Sequence, residues 1–397
     1  MRLSSIIQFG LLMSWTNKFP FTAIISVLIF LYFIFNNKLA FNLYQSINIK
    51  YQAGLLLCYF YFLLSAINYN FNQIFEYGFY RYDGNFFISF LPFLFIGYLQ
   101  NNVDKSVNLF YQCIKVFAIV TIFVILYNLI IFEKIPLFII NDSFLYFFTF
   151  ITNNAAGGWL SLCILLIYFI NKKLNNKFIS ILNVVLFCVL ITINSRGSLI
   201  ALMIAISPFI ILKNVRYSRL SIYYLSVFIL LISVQMYFVI NEGMLMYEKI
   251  DNIYEYISSN NESTKSANIL LRLYYTWPRA LEVFLSSNLI FGSGFGSFND
   301  GIESDNNTEF NAHNSFYHLL AETGIIGLLI FVNMLINLSN LIKKHSIDYN
   351  FKLMNISILY MIAFVSLTEN RFTLPTLILP FGFILLLTIS YRKNNNG

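Results

Sequence analysis

Apolar residues in this chain come in long runs separated by short polar turns. The runs fall at 20–35, 52–68, 85–99, 108–132, 154–170, 178–194, 198–212, 219–240, 317–340, 351–367 and 373–390, with a shorter one at 4–16. A helix needs about 20 apolar residues, within roughly 17–25, to cross a bilayer. The strict alternation of a barrel strand is absent, so helices are left as the way for such runs to satisfy their backbone in lipid. The pattern predicts an all-α, polytopic integral membrane protein with about 11–12 transmembrane helices. Residues 4–16 have the length of a signal-peptide core. "SWTNKFPF" offers no small-residue cleavage site, however, and another apolar run follows at once, so this segment is expected to remain as a helix. One stretch, 241–316, is too long for a turn, and loops of that length tend to be functional. The expected organisation is therefore helices over 1–240, a large loop with interfacial helices over 241–316, and further helices over 317–397.

Composition agrees with this reading. Hydrophobic residues make up 58% of the chain and charged ones 11%, against about one-quarter charged in a soluble domain. Lysine and arginine set the orientation. With 4–16 as the first span and a cytoplasmic amino terminus, fifteen Lys and Arg residues fall on the cytoplasmic side. The short loops opposite hold five: Lys18, Arg81, Lys134, Arg196 and Arg371. That asymmetry puts the large loop outside the cytoplasm. The net charge of +7 mostly reflects the same bias and calls for no nucleic-acid partner. Cys58, Cys113, Cys163 and Cys188 all lie in apolar segments and read as small buried or lipid-facing residues, not as a disulfide set or a metal site.

Helix interiors are almost free of ionisable groups; Lys115 and Glu322 lie within the first turns of their segments. Proton relays and ion-coupled transporters want midplane carboxylates or broken helices, so the chemistry is expected at the outer interface. Three basic features converge there. Arg196, in "INSRGSL", is held at the membrane edge by a very short link. Its structural reading is a turn in which Gly197 supplies an unusual backbone angle and a cation suits a helix carboxyl end. Its functional reading follows from positive charge on the side that disfavours it. Arg272 and Arg279 lie in "ILLRLYYTWPRALEVFLSS", a helix expected on the membrane surface with Leu271, Tyr274, Tyr275 and Trp277 near one side. Seven residues is two helical turns, so the two arginines are expected to point the same way, toward a ligand or toward lipid head groups. His313 is expected to start a helix, with Tyr317 and Leu320 on its face and Asn314 beside it.

The glycines of "GSGFGSF" are not a dinucleotide fingerprint, because no strand–helix–strand unit surrounds them. They let backbone approach a ligand or pack under the following helix. "NDGIESDNNTE" does not have calcium-loop spacing and reads as a solvated acidic loop. Arginine forks match phosphate oxygens at two points, and a neutral histidine takes a proton near pH 7. Together they suit a reaction in which an alcohol is the nucleophile and a lipid-linked phosphate is the leaving group, its growing charge met by the arginines, with no metal and no cofactor.

These stretches resemble a known family. "AHNSFYHLLAETGIIG" is similar to the His-Asn…Glu-x-Gly signature of the O-antigen ligase and O-antigen polymerase superfamily. "RLYYTWPRALEVFLSSNLIFGSGFGSF" resembles its Arg-x-x-x-x-Trp and glycine approach, and "NSRGSLIAL" its Ser-Arg-Gly turn. The resemblance covers Asn194 to Gly327. It implies a GT-C-like membrane fold in the bacterial inner membrane, and metal-independent, inverting transfer of an undecaprenyl-diphosphate-linked oligosaccharide at the periplasmic face. Membrane lipids and a chain-length regulator are the other partners it suggests. By position, Arg196 and Arg272 would contact the diphosphate and His313 would activate the acceptor hydroxyl. Arg279, Arg81 in "FYRYDGN" and Asn314 are secondary candidates. "GFYRYDGNFFISFLPF" and a composition heavy in Asn, Ile, Phe and Tyr lean toward the polymerase; the ligase shares the machinery and differs in acceptor. A transporter or flippase of the same glycan is the alternative from another class.

Overall fold

A computed structural model of the 397-residue chain describes residues 57, 58, 60–65 and 67, isolated positions between 119 and 130, and then 153–193, 195–211, 215–245, 269–298, 303–304, 307–308, 312–345 and 349–368. The expected runs at 4–16, 20–35, 85–99 and 373–390 lie outside the described residues, as do Arg81, Cys113 and Lys115.

The later apolar runs fold as helices close to the expected bounds: α1 (Asn153–Leu174), α2 (Lys177–Ile193), α3 (Arg196–Ile211), α4 (Tyr217–Phe238), α5 (Trp277–Ser286), α6 (Ser315–His345) and α7 (Tyr349–Val365). Apart from a small hairpin pairing Glu303 with Thr308 and Ser304 with Asn307, the described residues contain almost nothing but helix. Helix α4 does not stop at residue 240. It continues through a π turn, Val239–Gly243, so that Tyr217–Gly243 and Ser315–Asn340 are both long and apolar enough to cross a membrane. Many large apolar side chains face outward, among them Ile210, Ile222, Leu230 and Leu329, each more than half exposed. Apolar surface of that extent is stable against lipid rather than water.

Helix α7 is the axis of the bundle. It packs against α1, α3, α4 and α6, and Ile356, Ile358 and Met361 along it are fully buried. A helix largely covered by its neighbours has little need of a polar face. Tyr224 of α4 shares its hydroxyl hydrogen between Ser357 Oγ at 3.1 Å and the Ala205 carbonyl of α3 at 2.6 Å. Small residues bring α1 onto α3. A side chain on Gly157 would collide with Ser195, and Ser161 Oγ donates to the Ser198 carbonyl at 3.1 Å. Such contacts replace the hydrophobic drive that lipid removes. Cys58, Cys163 and Cys188 are free thiols.

Helix α6 is broken at Gly324, where φ is 63° and ψ −167°. That backbone region is essentially closed to residues with a Cβ. The glycine loop "FGSGF" enters the break. Ile325 and Ile326 N–H donate to the Leu289 and Ile290 carbonyls at 3.0 and 3.2 Å, and Ser293 and Gly294 N–H donate back to the Ala321 and Glu322 carbonyls at 3.1 and 2.7 Å. A Cβ on Gly324 would strike the Ile290 carbonyl, and one on Gly292 the Glu322 carbonyl. Of the two readings open for these glycines, the described contacts are those of packing against the following helix.

Replacing Gly324 with alanine is expected to cost about 1–3 kcal/mol from backbone strain alone, before the clash with Ile290. The check is thermal unfolding in detergent: the variant should melt several degrees lower. An unchanged midpoint would mean that the break relaxes freely.

Candidate functional site

Beyond Val365 the chain turns through Ser366, Leu367 and Thr368, and three consecutive carbonyls there face away from the helix that made them. Each takes a hydrogen bond from a different part of the chain. Ser315 N–H donates to the Ser366 carbonyl at 2.9 Å. Asn314 Nδ2 and Gln235 Nε2 both donate to the Leu367 carbonyl, at 2.9 and 3.2 Å. Arg272 Nη1 donates to the Thr368 carbonyl at 2.8 Å. A helix end leaves carbonyls without intrahelical partners, and in a buried setting each must be answered. Here the answer comes from α4, the approach to α5, and the start of α6.

The Arg196 stretch meets the same turn. Gly197 lies inside α3, not in a left-handed turn, which corrects the expectation of an unusual angle. Its missing side chain makes room instead: a Cβ there would collide with Thr368. Ser195 is buried and its hydroxyl lies 3.0 Å from that of Ser198. The backbone around Arg196 is thus held on two sides while its side chain stands exposed. Arg196 is also the first residue of α3 rather than a cap on the preceding helix. A cation there opposes the helix dipole, which favours anions at an amino terminus. Arg196 also follows the carboxyl end of α2, Ile193, by three residues, where a cation is favourable.

Arg272 begins a π turn, Arg272–Thr276, that runs into α5. It packs against the π turn Val239–Gly243. Two π turns in contact are unusual, and such turns are frequent at functional sites. The expectation that Arg272 and Arg279 share a face assumed regular α geometry; the wide turn between them breaks that phase. Arg272 reaches Thr368, whereas Arg279 pairs with Glu282 at 2.6 Å on its own helix. One face of α5 packs on the bundle. Trp277, Ala280 and Leu281 are buried, and Trp277 stacks on Tyr317 of α6 with ring centres 5.6 Å apart. With Val239, Phe298 and Leu320 they form a separate small core at this end of the bundle.

His313 does not start α6. It precedes the cap, in the left-handed region at φ 48°, an uncommon place for a residue with a side chain. Asn314 is the cap: its Oδ1 accepts from Phe316 and Tyr317 N–H at 2.9 and 3.3 Å. Such a cap is worth about 1 kcal/mol. Its Nδ2 donates both to Leu367 and to Gln235 Oε1, the latter at 3.2 Å. Asn314 is fully buried, and both ends of its amide are engaged by the fold. It positions His313 and is not placed to hold a ligand.

Sequence reasoning passed over Gln235. The signal was available, because an amide inside the apolar run 219–240 must find a partner. His318 was also passed over. It is buried one turn before Glu322, with His318 Nε2 3.4 Å from Glu322 Oε2. Glu322 Oε1 accepts from Phe298 N–H at 2.9 Å, so this carboxylate ties down the far end of the glycine loop.

Residues 181–332 match the family described as O-antigen ligase. The match supports the O-antigen ligase/polymerase superfamily that the motifs resemble, whose ligase-like and polymerase-like members it does not separate. It takes in Arg196, Gln235, Arg272, His313 and Asn314 and leaves out the Leu367–Thr368 turn on which they meet. No curated protein matches the chain.

Gln235→Leu removes one donor from the Leu367 carbonyl and the acceptor opposite Asn314 Nδ2. Loss of buried bonds of this kind costs about 1–3 kcal/mol. Thermal unfolding in detergent should show a clearly lowered midpoint; equal stability of variant and parent would mean that Asn314 alone secures the turn.

Proposed function

We propose, on the premise of the O-antigen ligase match over residues 181–332, that this chain is a metal-independent, inverting glycosyltransferase. Its donor is an oligosaccharide on undecaprenyl diphosphate, and it works at the periplasmic face of a multi-pass, GT-C-like protein of the inner membrane. The observation that carries this reading is the meeting of the Arg196, Arg272 and His313 stretches on the single turn Ser366–Thr368. Three weak motifs far apart in sequence share one structural support.

The chemistry follows from the residue types. The acceptor hydroxyl attacks the anomeric carbon as the bond from that carbon to the diphosphate oxygen breaks. His313 takes the hydroxyl proton as the new bond forms. Both electrons of the broken bond leave with the diphosphate, and Arg196 and Arg272 stabilise the charge that builds there. Arg196 suits this role because its guanidinium is exposed above a helix amino terminus, itself a place that attracts anions. Arg272 is anchored at Nη1 by the Thr368 carbonyl, which orients its planar fork. Arg279, paired with Glu282, contributes at most to the surrounding field. Arg81 keeps its secondary place on the family resemblance alone.

The acceptor is proposed to be the non-reducing end of another lipid-linked repeat unit, as in a polymerase, on the resemblance of residues 78–93. The second reading is transfer to lipid A core, favoured by the description of the matching family as O-antigen ligase. Deleting the gene separates them. Loss of a polymerase leaves lipopolysaccharide core bearing one repeat; loss of a ligase leaves polymerised glycan on the lipid carrier. A flippase would need a sealed bilayer, whereas the enzyme lengthens labelled glycan in detergent.

His313→Ala is expected to lower transfer by about 10²–10⁴-fold, the usual contribution of a positioned base, with membrane insertion unchanged; near-normal product removes His313 from the mechanism. Arg196→Lys is expected to lose about tenfold or more, because an ammonium cannot copy the forked contact. Full activity in that variant would leave Arg196 without a role in holding phosphate.

A further inference from the structure

The break in α6 makes a cavity as well as a joint. Where the glycine loop leaves the break, a space of about 420 Å³ opens between Tyr61, Leu64 and Ser65 on one wall and residues 291–294 on the other. Tyr61 fixes the first wall to α6 by donating to the Thr323 carbonyl at 3.0 Å, and Ser65 Oγ ties it to the loop by accepting from Phe295 N–H at 3.1 Å.

The N–H groups of the loop wall are taken. The loop N–H groups all have acceptors: Phe291 donates to Asn288 Oδ1 at 3.2 Å, and Gly292 to the Asn288 carbonyl at 2.6 Å. Ser293 and Gly294 donate to α6 carbonyls. The Ser293 hydroxyl is shared between Ser297 and the Ala321 carbonyl. No loop N–H remains to grip a phosphate or a sugar oxygen. The walls also expose large apolar side chains: Leu64 is 65% and Phe291 55% exposed.

Depth is the second constraint. The loop joins α6 at Ala321 and Glu322, seven and eight residues beyond the cap Asn314. At 1.5 Å per residue that is about 10–12 Å along the helix. The cavity therefore lies within the apolar span Ser315–Asn340, below the end that carries His313 and the arginines. A lipid whose phosphate sat at that end would lead its chain past this level.

We propose that the cavity receives the head-proximal part of the isoprenoid chain of the lipid-linked substrate, so that chain and diphosphate are read at two separate levels of the same protein. This inference rests on the reading given under Proposed function, and the experiment keeps the two apart. The full-length protein in detergent is photolabelled with a polyprenyl diphosphate carrying a diazirine near the head of its chain. Labelled peptides containing residues 61–65 or 291–294, protected by unlabelled polyprenyl diphosphate and not by phospholipid, are the expected result. No label in these peptides, or equal protection by phospholipid, overturns the proposal. Because this readout needs no turnover, a protein that is labelled as expected yet transfers no glycan would count against the proposed function alone.

A kinetic arm uses donors with a full-length or a severely shortened chain. The parent protein is expected to show a KM at least tenfold lower for the long chain. Leu64→Trp, which adds bulk at an exposed wall position, should raise KM for the long chain about tenfold and leave kcat and the short-chain KM unchanged. Equal KM values for the two donors in the parent, or the same rise for both in the variant, overturns the proposal.

Discussion

Three carbonyls just beyond the buried end of a helix constrain this end of the molecule. Helix α7 packs on four neighbours, and the turn after it cannot turn to bulk water for its hydrogen bonds. Its oxygens at Ser366, Leu367 and Thr368 are met by Ser315, by Asn314 with Gln235, and by Arg272. Each donor belongs to a segment that carries, or adjoins, a candidate for chemistry. The need to satisfy a buried backbone and the need to gather cationic groups are served by one set of contacts.

This arrangement places residues that hold the fold beside the candidates for chemistry. Asn314 has both ends of its amide engaged and is buried, yet it fixes the residue before it, His313, in a left-handed conformation. Gly197 packs on Thr368 so that its neighbour Arg196 can stand exposed above the start of α3. In both cases the candidate residue is adjacent to the structural one. A rigid support next to an accessible side chain is what positioning a charged transition state requires.

The glycine loop and the break at Gly324 do parallel work deeper in the bundle. Four backbone hydrogen bonds and the Glu322 carboxylate replace those that a continuous α6 would have made. The buried carboxylate, next to His318, is tolerable because Phe298 N–H and the imidazole both lie against it. The cost of interrupting a membrane helix is offset by the loop that fills it, and the joint leaves a cavity beside the break.

Much of this was legible before any tertiary contact was known. Runs of apolar residues at spanning length dictate helices, because lipid offers the backbone no other partner, and α1–α4, α6 and α7 follow those runs closely. The scarcity of charge inside the runs, and the positions of Arg196, Arg272 and His313 outside them, singled these residues out as candidates. Other features depend on long-range contact and leave no local periodicity. The π turn at Arg272 shifts the phase that a seven-residue spacing implied, and one face of the helix that follows docks through Trp277 on Tyr317. Gly197 looked like a turn residue and is a contact residue, because its partner Thr368 lies far along the chain. Gln235 and the Ser366–Thr368 turn carried no motif at all. Sequence settles which segments are helices and which side chains are chemically able. Only the packing of those helices decides which carbonyls are left over, and so which side chains are drawn together to meet them.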